Sequence, residues 1–170
     1  MEEDNTLAFR VREISDNVAL CALVWSWHIR RPGFNPKVSG ITFADMLGDD
    51  WWHYLFWFDG QPQVCVSANE HRPNGYEIHV AAADGTHPAR TIEAVQFVGD
   101  RLMENPACRL ASWCPANHRA AVRLNKHFLE FETSKDIDGE KWNRYGSSSP
   151  EWWKRHGQRI ENTAASIREE

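Results

Sequence analysis

The chain has 170 residues, enough for one domain with a hydrophobic core. Its net charge of −5 argues against a nucleic-acid-binding protein. No apolar run is long enough to cross a membrane, and the start, MEEDNTLAFRVREIS, lacks the apolar region of a signal peptide. The 4 cysteines form no CxxC pair, so we expect reduced thiols in a cytoplasmic protein.

The first 50 residues predict one strand followed by two helices. Alternation over residues 7–13 indicates a half-buried strand. Asp16 or Asn17 is expected to cap the first helix, and Thr42 with Asp45 a short second one. The expected buried face of the first helix consists of Ala19, Leu20, Leu23, Val24 and Trp27.

Three strands joined by tight hairpins are predicted next. Residues 51–58, WWHYLFWF, are apolar on both faces, which is typical of a central strand covered on both sides. Asp59-Gly60 and Asn74-Gly75 are hairpin signals that separate this strand from QVCVSAN and then from YEIHVAA.

Two helices and three strands are expected in the following part of the chain. The helix after ADGTHPAR has Pro88 in its first turn, a favoured place for proline. The strand CRLASWC precedes a helix that Asn117 is expected to cap, and a strand pair is predicted across residues 130–146. The expected buried positions of the two helices are Ile92, Val95, Val98 and Leu102, then Ala121, Leu124 and Phe128.

A terminal helix is predicted in SSSPEWWKRHGQRIENTAASIREE, capped by Ser148 or Ser149. Residues 147–170 are thus a helical extension of a domain at 1–146. The apolar positions of the extension are Trp152, Trp153, His156, Ile160 and Ile167. This face requires a cover, either its own domain or a partner, of which a second copy of the chain is the commonest. We predict that the extension contributes to self-association or partner binding.

The predicted order is β-α-α-β-β-β-α-β-α-β-β plus a tail helix, an α/β arrangement with a mixed sheet. With CPANHRAAVRLNKHF at its late helix, this order resembles the Gcn5-related N-acetyltransferase (GNAT) superfamily over residues 7–146. The resemblance implies a mostly antiparallel sheet flanked by helices. It also implies binding of acetyl-CoA between the strands YEIHVAA and CRLASWC, which would splay apart.

In that superfamily, the loop after the fourth strand holds the coenzyme A pyrophosphate through backbone N–H groups, because they and the helix dipole favour an anion. Here that loop is ADGTHPAR, across Ala83 to Arg90. The family pattern Q/R-x-x-G-x-G/A is matched only in part, since Arg90 is displaced. The cofactor-binding residues implied by the resemblance are Val80, Gly85, Thr86, Ala89, Arg90 and Asn117.

Glu77 and His79 are the candidate catalytic residues. They share one face of the strand that forms the acceptor site in the superfamily. Such a pair can deprotonate an attacking ammonium group directly or through water. The alternative is a solvent-facing Glu77 and a His79 that is only hydrogen-bonded within the sheet. Leu124 replaces the tyrosine that often serves as the general acid.

Other interpretations of single residues remain open. The alternative role of Asn117 is that of a helix cap alone, and the alternative role of Arg90 is a surface ion pair. Cys114 beside His118 is an alternative nucleophile, although a lone cysteine there is more often part of the core. His71, His87 and His118 lack metal-ligand spacing, so no metal is expected.

Two functional hypotheses follow. The first is an acyl-CoA-dependent N-acyltransferase that acts on an amine of a protein or small molecule. The second is a non-catalytic protein of the same fold that serves as a virion component or binds a host protein as an inhibitor. A Tyr-Glu-Ile-His segment ahead of a Pro-x-Arg loop resembles divergent members encoded by bacteriophages. Such an origin would place the protein in the host cytoplasm or the virion.

Overall fold

The computed structural model describes residues 9–31, 34–35 and 41–157, and the predicted order of elements is confirmed within them. The strands are β1 (Arg10–Glu13), β2 (Trp51–Phe58), β3 (Gln61–Arg72), β4 (Gly75–Ala82), β5 (Arg109–Pro115), β6 (Glu130–Ile137) and β7 (Glu140–Ser148). The helices are α1 (Val18–Arg30), α2 (Phe43–Met46), α3 (Pro88–Leu102) and α4 (Arg119–Phe128). Residues 149–157 are also helical. None of the described helices is long and apolar enough to cross a membrane.

The strands form one seven-stranded sheet in the order β1-β2-β3-β4-β5-β7-β6, and β4 with β5 is its parallel pair. Both predicted hairpins are confirmed. Asp59 and Gly60 have φ angles of 51° and 74°, the left-handed pair that a two-residue hairpin turn requires. A further hairpin, at Asp138 and Gly139, has the same pair of left-handed residues and joins β6 to β7, whereas at Asn74-Gly75 only Asn74 has a positive φ, of 61°.

The parallel pair is short, and this opens the sheet. β4 and β5 pair only from Gly75 to Glu77 on one strand and from Arg109 to Ala111 on the other. Beyond these residues the two strands separate, as the resemblance implied. A gap in the sheet therefore begins at Glu77.

Buried side chains cover both faces of the sheet. β2 contributes Leu55 to the cluster under α1 and α2, and Phe56 to the cluster under α3 and α4. Both side chains are completely buried, which confirms that β2 is a strand with two covered faces. Trp52 is the exception, with 38% of its surface exposed.

The buried face of α1 differs from the predicted one. Asn17 is the N-cap, as expected, and its side chain accepts a hydrogen bond from Leu20 N at 3.0 Å. Ala19, however, is exposed, and Leu20 and Leu23 are only half-buried. Val24 and Trp27 are buried as predicted, and Cys21 and His28 are the other buried residues of the helix. The prediction failed because a cysteine and a histidine were not counted as core residues, although cysteine packs as a small apolar side chain.

The predicted cap of α4 is wrong. His118 is the N-cap, and its Nδ1 atom accepts a hydrogen bond from Ala121 N at 3.1 Å. Asn117 lies exposed in the preceding turn. β5 runs through Pro115 before this turn, so the helix starts one residue later than expected. An imidazole acceptor can replace the usual amide or hydroxyl oxygen.

The described part of the tail packs on its own domain. Ser148 and Glu151 form a capping box, in which Ser148 Oγ accepts from Glu151 N and the carboxylate accepts from Ser148 N. The Trp152 ring is completely buried, stacks on Phe128 at 5.6 Å between centroids, and donates a hydrogen bond to Asp100 at 3.0 Å. The predicted apolar positions Ile160 and Ile167 lie outside the described residues. Self-association through the extension stays a prediction.

Gly99 on α3 leaves the space that Trp152 fills, and this gives a testable prediction. A Cβ atom added at Gly99 would lie 2.4 Å from the Trp152 ring. Gly99→Ala should therefore lower the free energy of unfolding by about 1–3 kcal/mol, the usual cost of overpacking, despite the better helix propensity of alanine. Urea denaturation measures this change. An equal or higher unfolding midpoint would show that the ring can move away at little cost.

Candidate functional site

A cavity of about 820 Å³ lies at the gap between β4 and β5. Its walls come from the end of α1, β4 and the loop after it, the start of α3, β5, α4 and the β6–β7 pair. The volume falls within the usual range for small-molecule and cofactor sites. Because β5 turns away after Ala111, β4 has alternate backbone N–H groups without a strand partner on that side.

Glu77 and His79 form a hydrogen-bonded pair on the cavity wall. His79 Nε2 lies 3.0 Å from Glu77 Oε1, and 28% of the Glu77 side chain and 11% of the His79 side chain are exposed. Burial alone would raise the pKa of Glu77, but the His79 hydrogen bond and the charges of His79, His71 and Arg144 hold it below its ordinary value. The carboxylate is therefore ionised at neutral pH.

A buried polar row supports this pair from the neighbouring strands. His79 lies opposite Ser67 on β3, which lies opposite His53 on β2. Ser67 Oγ is 2.7 Å from His53 Nδ1. The Trp51 ring lies 5.0 Å from the His79 ring and 6.1 Å from that of His53, between centroids. These contacts restrict the orientation of His79. A structural role of His79 within the sheet is therefore compatible with a catalytic role.

The structure brings only some of the predicted cofactor residues to the cavity. Val80 and Thr86 line it, together with Asp84 and Pro88. Gly85, Ala89, Arg90 and Asn117 are not part of its wall.

Arg90 has partners away from the cavity. It donates hydrogen bonds to Gln63 Oε1 at 2.6 Å and to the Asp59 carboxylate at 2.5 Å. The surface-pair interpretation of Arg90 therefore matches this geometry better than a phosphate contact.

Part of the predicted anion-binding loop makes hydrogen bonds within the protein. Ala83 N donates to Gln63 O at 2.9 Å, Thr86 N donates to Ala83 O at 3.2 Å, and Ala89 N donates to His87 Nδ1 at 3.1 Å. Within the described ranges, the backbone N–H groups of Asp84, Gly85 and His87 donate no hydrogen bond to another part of the protein. These amides and the cavity beside them fit an anionic group such as the coenzyme A pyrophosphate.

Cys114 is unsuited to the alternative role of nucleophile. Its side chain is buried, and burial raises the pKa of the thiol although Asn125 and Arg31 act in the opposite direction. The thiol therefore stays protonated at neutral pH. His118 Nδ1 is occupied by the cap of α4. In the part of the chain that is described, no three His, Cys, Asp or Glu side chains could hold a metal ion together.

The end of α1 contributes cavity residues that the sequence interpretation missed. They are Trp27, His28, Arg30 and Arg31. The available signal was two adjacent arginines at the end of an apolar helix, directly before Pro32-Gly33. A solvated helix end has the same pattern, so the sequence alone did not favour a binding role.

No protein-family model and no curated protein sequence matches the chain. Solved structures do. A spermidine N-acetyltransferase SpeG chimera from Vibrio cholerae has a TM-score of 0.69 at 9% identity, over 88% of this chain and 100% of that one. A GNAT-family acetyltransferase from Streptococcus pneumoniae has a TM-score of 0.62 at 15% identity, over 82% of this chain and 98% of that one.

YncA from Salmonella typhimurium, solved with its cofactor acetyl-CoA, has a TM-score of 0.67 at 8% identity, over 84% of this chain and 95% of that one. At such low identity the similarity concerns the fold alone. It includes the mixed, mostly antiparallel sheet between helices that the sequence predicted. The chain therefore has the fold of the GNAT acetyltransferases.

Proposed function

We propose that this protein is an acyl-CoA-dependent N-acyltransferase that transfers an acetyl group from acetyl-CoA to an amine. The main support is the position of Glu77 and His79, a hydrogen-bonded pair on the wall of a cavity that opens where β4 and β5 separate. A purely structural ion pair needs no cavity beside it, whereas a proton acceptor must be within reach of a bound amine.

Acetyl-CoA supplies a thioester, whose carbonyl carbon bonds to the amine nitrogen as its bond to sulfur breaks. Glu77 and His79 take the proton that the nitrogen loses, directly or through one water molecule. The N–H groups of β4 near Val80 that face the gap stabilise the charge on the carbonyl oxygen. Leu124 cannot donate a proton, so the departing sulfur receives its proton from solvent.

A second candidate is a non-catalytic protein of this fold, either a virion component or an inhibitor that binds a host protein. Two observations favour it. Leu124 lines the cavity where the family often has a tyrosine, and Arg90 is paired with Asp59 instead of facing the cavity. Under this hypothesis no amine is acetylated, whether or not acetyl-CoA binds.

Acetyl-CoA binding is the first test. On titration, amide shifts are expected to cluster in residues 83–90 and in β4 beyond Glu77, because the amides without partners lie there. Calorimetry gives the affinity, and release of free thiol with a panel of amines reports turnover. Shifts confined to the tail helix, or none at millimolar ligand, would contradict the cofactor assignment. Binding without thiol release would favour the non-catalytic candidate.

A further inference from the structure

Two polar side chains lie together where α1 ends at the cavity. His28 and Arg31 are one helical turn apart, and Arg31 N donates to His28 O at 3.3 Å. Both line the cavity. They belong to neither the Glu77–His79 pair nor the loop after β4, so neither proposed role explains them.

Arg31 is a half-buried cation, and the described residues supply no carboxylate partner for it. Within the described residues, no acidic side chain lies within ion-pair distance of it, and its guanidinium makes no hydrogen bond. Its charge extends to the separated part of β5, where it opposes the rise in the pKa of Cys114 that burial causes. An unpaired buried charge is costly, so such a cation usually has a ligand or an ion as its partner.

His28 is an even stronger anomaly. Only 1% of its surface is exposed, and both ring nitrogens lack a hydrogen-bond partner among the described residues. Burial, with the charge of Arg31 as the next cause, lowers the pKa of His28 to about 3. The ring is therefore neutral at pH 7 and has one N–H donor to offer. Buried polar groups without partners are rare and require an explanation.

The two side chains are close to the predicted catalytic pair. α1 packs on β4, and the charge of His79 is near enough to act on the pKa of His28. Arg30, Arg123 and Lys135 also line the cavity, on a chain whose net charge is −5. Apart from Glu77 and Asp84, the charged side chains on the cavity wall are thus basic.

We propose that the acceptor is a small amine that also carries a carboxylate, such as an amino acid, and that Arg31 and His28 bind this carboxylate. The inference rests on the proposed N-acyltransferase function and specifies its substrate class. The guanidinium has a planar fork of N–H donors that matches a carboxylate, and the neutral His28 ring adds a further donor. The amine of the same molecule then faces Glu77 and His79.

Paired amines test this substrate class. L-Alanine and β-alanine are compared with L-alaninamide and β-alaninamide, in which a neutral amide replaces the carboxylate. Spermidine, an amine without a carboxylate, is the third comparison. The wild-type protein is expected to have the higher kcat/KM with the carboxylates. Arg31→Ala should lower kcat/KM for the carboxylates roughly 10- to 100-fold, the effect of losing a hydrogen-bonded charge. The same substitution should change kcat/KM for the amides by no more than about threefold. Arg31→Lys should recover part of the loss in kcat/KM for the carboxylates.

A binding measurement separates this inference from the proposed function. Binding of β-alanine to the protein saturated with coenzyme A is followed by calorimetry in the wild type, in Arg31→Ala, and in Arg12→Ala as a control on β1 outside the cavity. Loss of β-alanine binding in Arg31→Ala alone supports the carboxylate site even if no amine is acetylated. Equal losses for carboxylates and amides, preference for spermidine, or no β-alanine binding at millimolar concentration would each overturn it.

Discussion

Replacement of Glu77 by Gln is expected to reduce acetyl transfer by about 10²–10⁴-fold, the typical contribution of a positioned base. Gln has nearly the same shape and still reaches the Nε2 atom of His79, which lies 3.0 Å from the carboxylate. It cannot take up a proton or stabilise a positive charge on the imidazole ring. The affinity for acetyl-CoA should stay unchanged, since Glu77 lies on β4 ahead of the predicted anion-binding loop.

Glu70→Gln is the matched control for this substitution. Glu70 lies on the neighbouring strand β3, is exposed, and accepts a hydrogen bond from Tyr76 at 2.8 Å, outside the cavity. The same loss of charge there should leave turnover within about twofold, as for most surface changes. An equal fall in both variants would indicate a general charge effect and not a base at Glu77.

A double-mutant cycle with His79→Ala shows whether the pair acts as one unit. If His79 takes the proton and Glu77 stabilises the resulting imidazolium, the double variant should lose little more activity than either single variant. Unchanged turnover in Glu77→Gln and His79→Ala would leave the acid–base assignment without support.

The pH profile adds an independent condition. A base is active only when deprotonated, so activity that depends on Glu77 falls as the pH drops through its pKa. That pKa is held below the ordinary value by the His79 hydrogen bond, and the acid limb due to Glu77 should therefore lie below the ordinary range of a glutamate side chain. An acid limb above that range would belong to a group other than Glu77.

The order of the elements could be predicted because its signals are local. Asp59-Gly60 and Asn74-Gly75 mark hairpins because Asp59, Gly60 and Asn74 adopt left-handed backbone conformations that few other residues adopt. Pro88 marks the start of α3. Each signal lies within a few residues of the feature that it specifies, so no knowledge of the tertiary structure was needed.

The candidate site was predicted only in part, because its geometry depends on contacts between distant segments. Glu77 and His79 are two residues apart on one strand, so alternation alone places them on one face. The partner of Arg90 is Asp59, 31 residues away. The role of Arg31 likewise depends on the way α1 packs on β4. Periodicity gives no information about such pairs.

The shift from Asn117 to His118 shows a different limit. Both residues can accept a hydrogen bond at a helix N-terminus, and asparagine is the commoner cap. The choice was decided by the length of β5, which extends to Pro115 in its pairing with Trp142 on β7. A one-residue difference of this kind follows from strand register, which local sequence preference does not determine.

Trp152→Ala is expected to lower the free energy of unfolding by about 3–5 kcal/mol, the range for a large aromatic residue removed from a core. The ring is completely buried, stacks on Phe128, and contacts His156 at 4.5 Å between centroids. It also donates to Asp100, which already accepts from Gln96 at 2.6 Å. The substitution therefore leaves a cavity between α3 and α4 and removes one hydrogen bond.

The neighbouring Trp153 is the matched control. It is half-buried and donates one hydrogen bond to Met103 O at 2.9 Å, so Trp153→Ala should cost distinctly less. In urea denaturation, Trp152→Ala should shift the midpoint further than Trp153→Ala with little change in the slope, since the folded state keeps its compactness. If the two variants were equally stable, or if Trp153→Ala were less stable than Trp152→Ala, the tail helix would not be anchored through Trp152. Equal stability of Trp152→Ala and the wild type would mean that residues 149–157 contribute little to the domain that they cover.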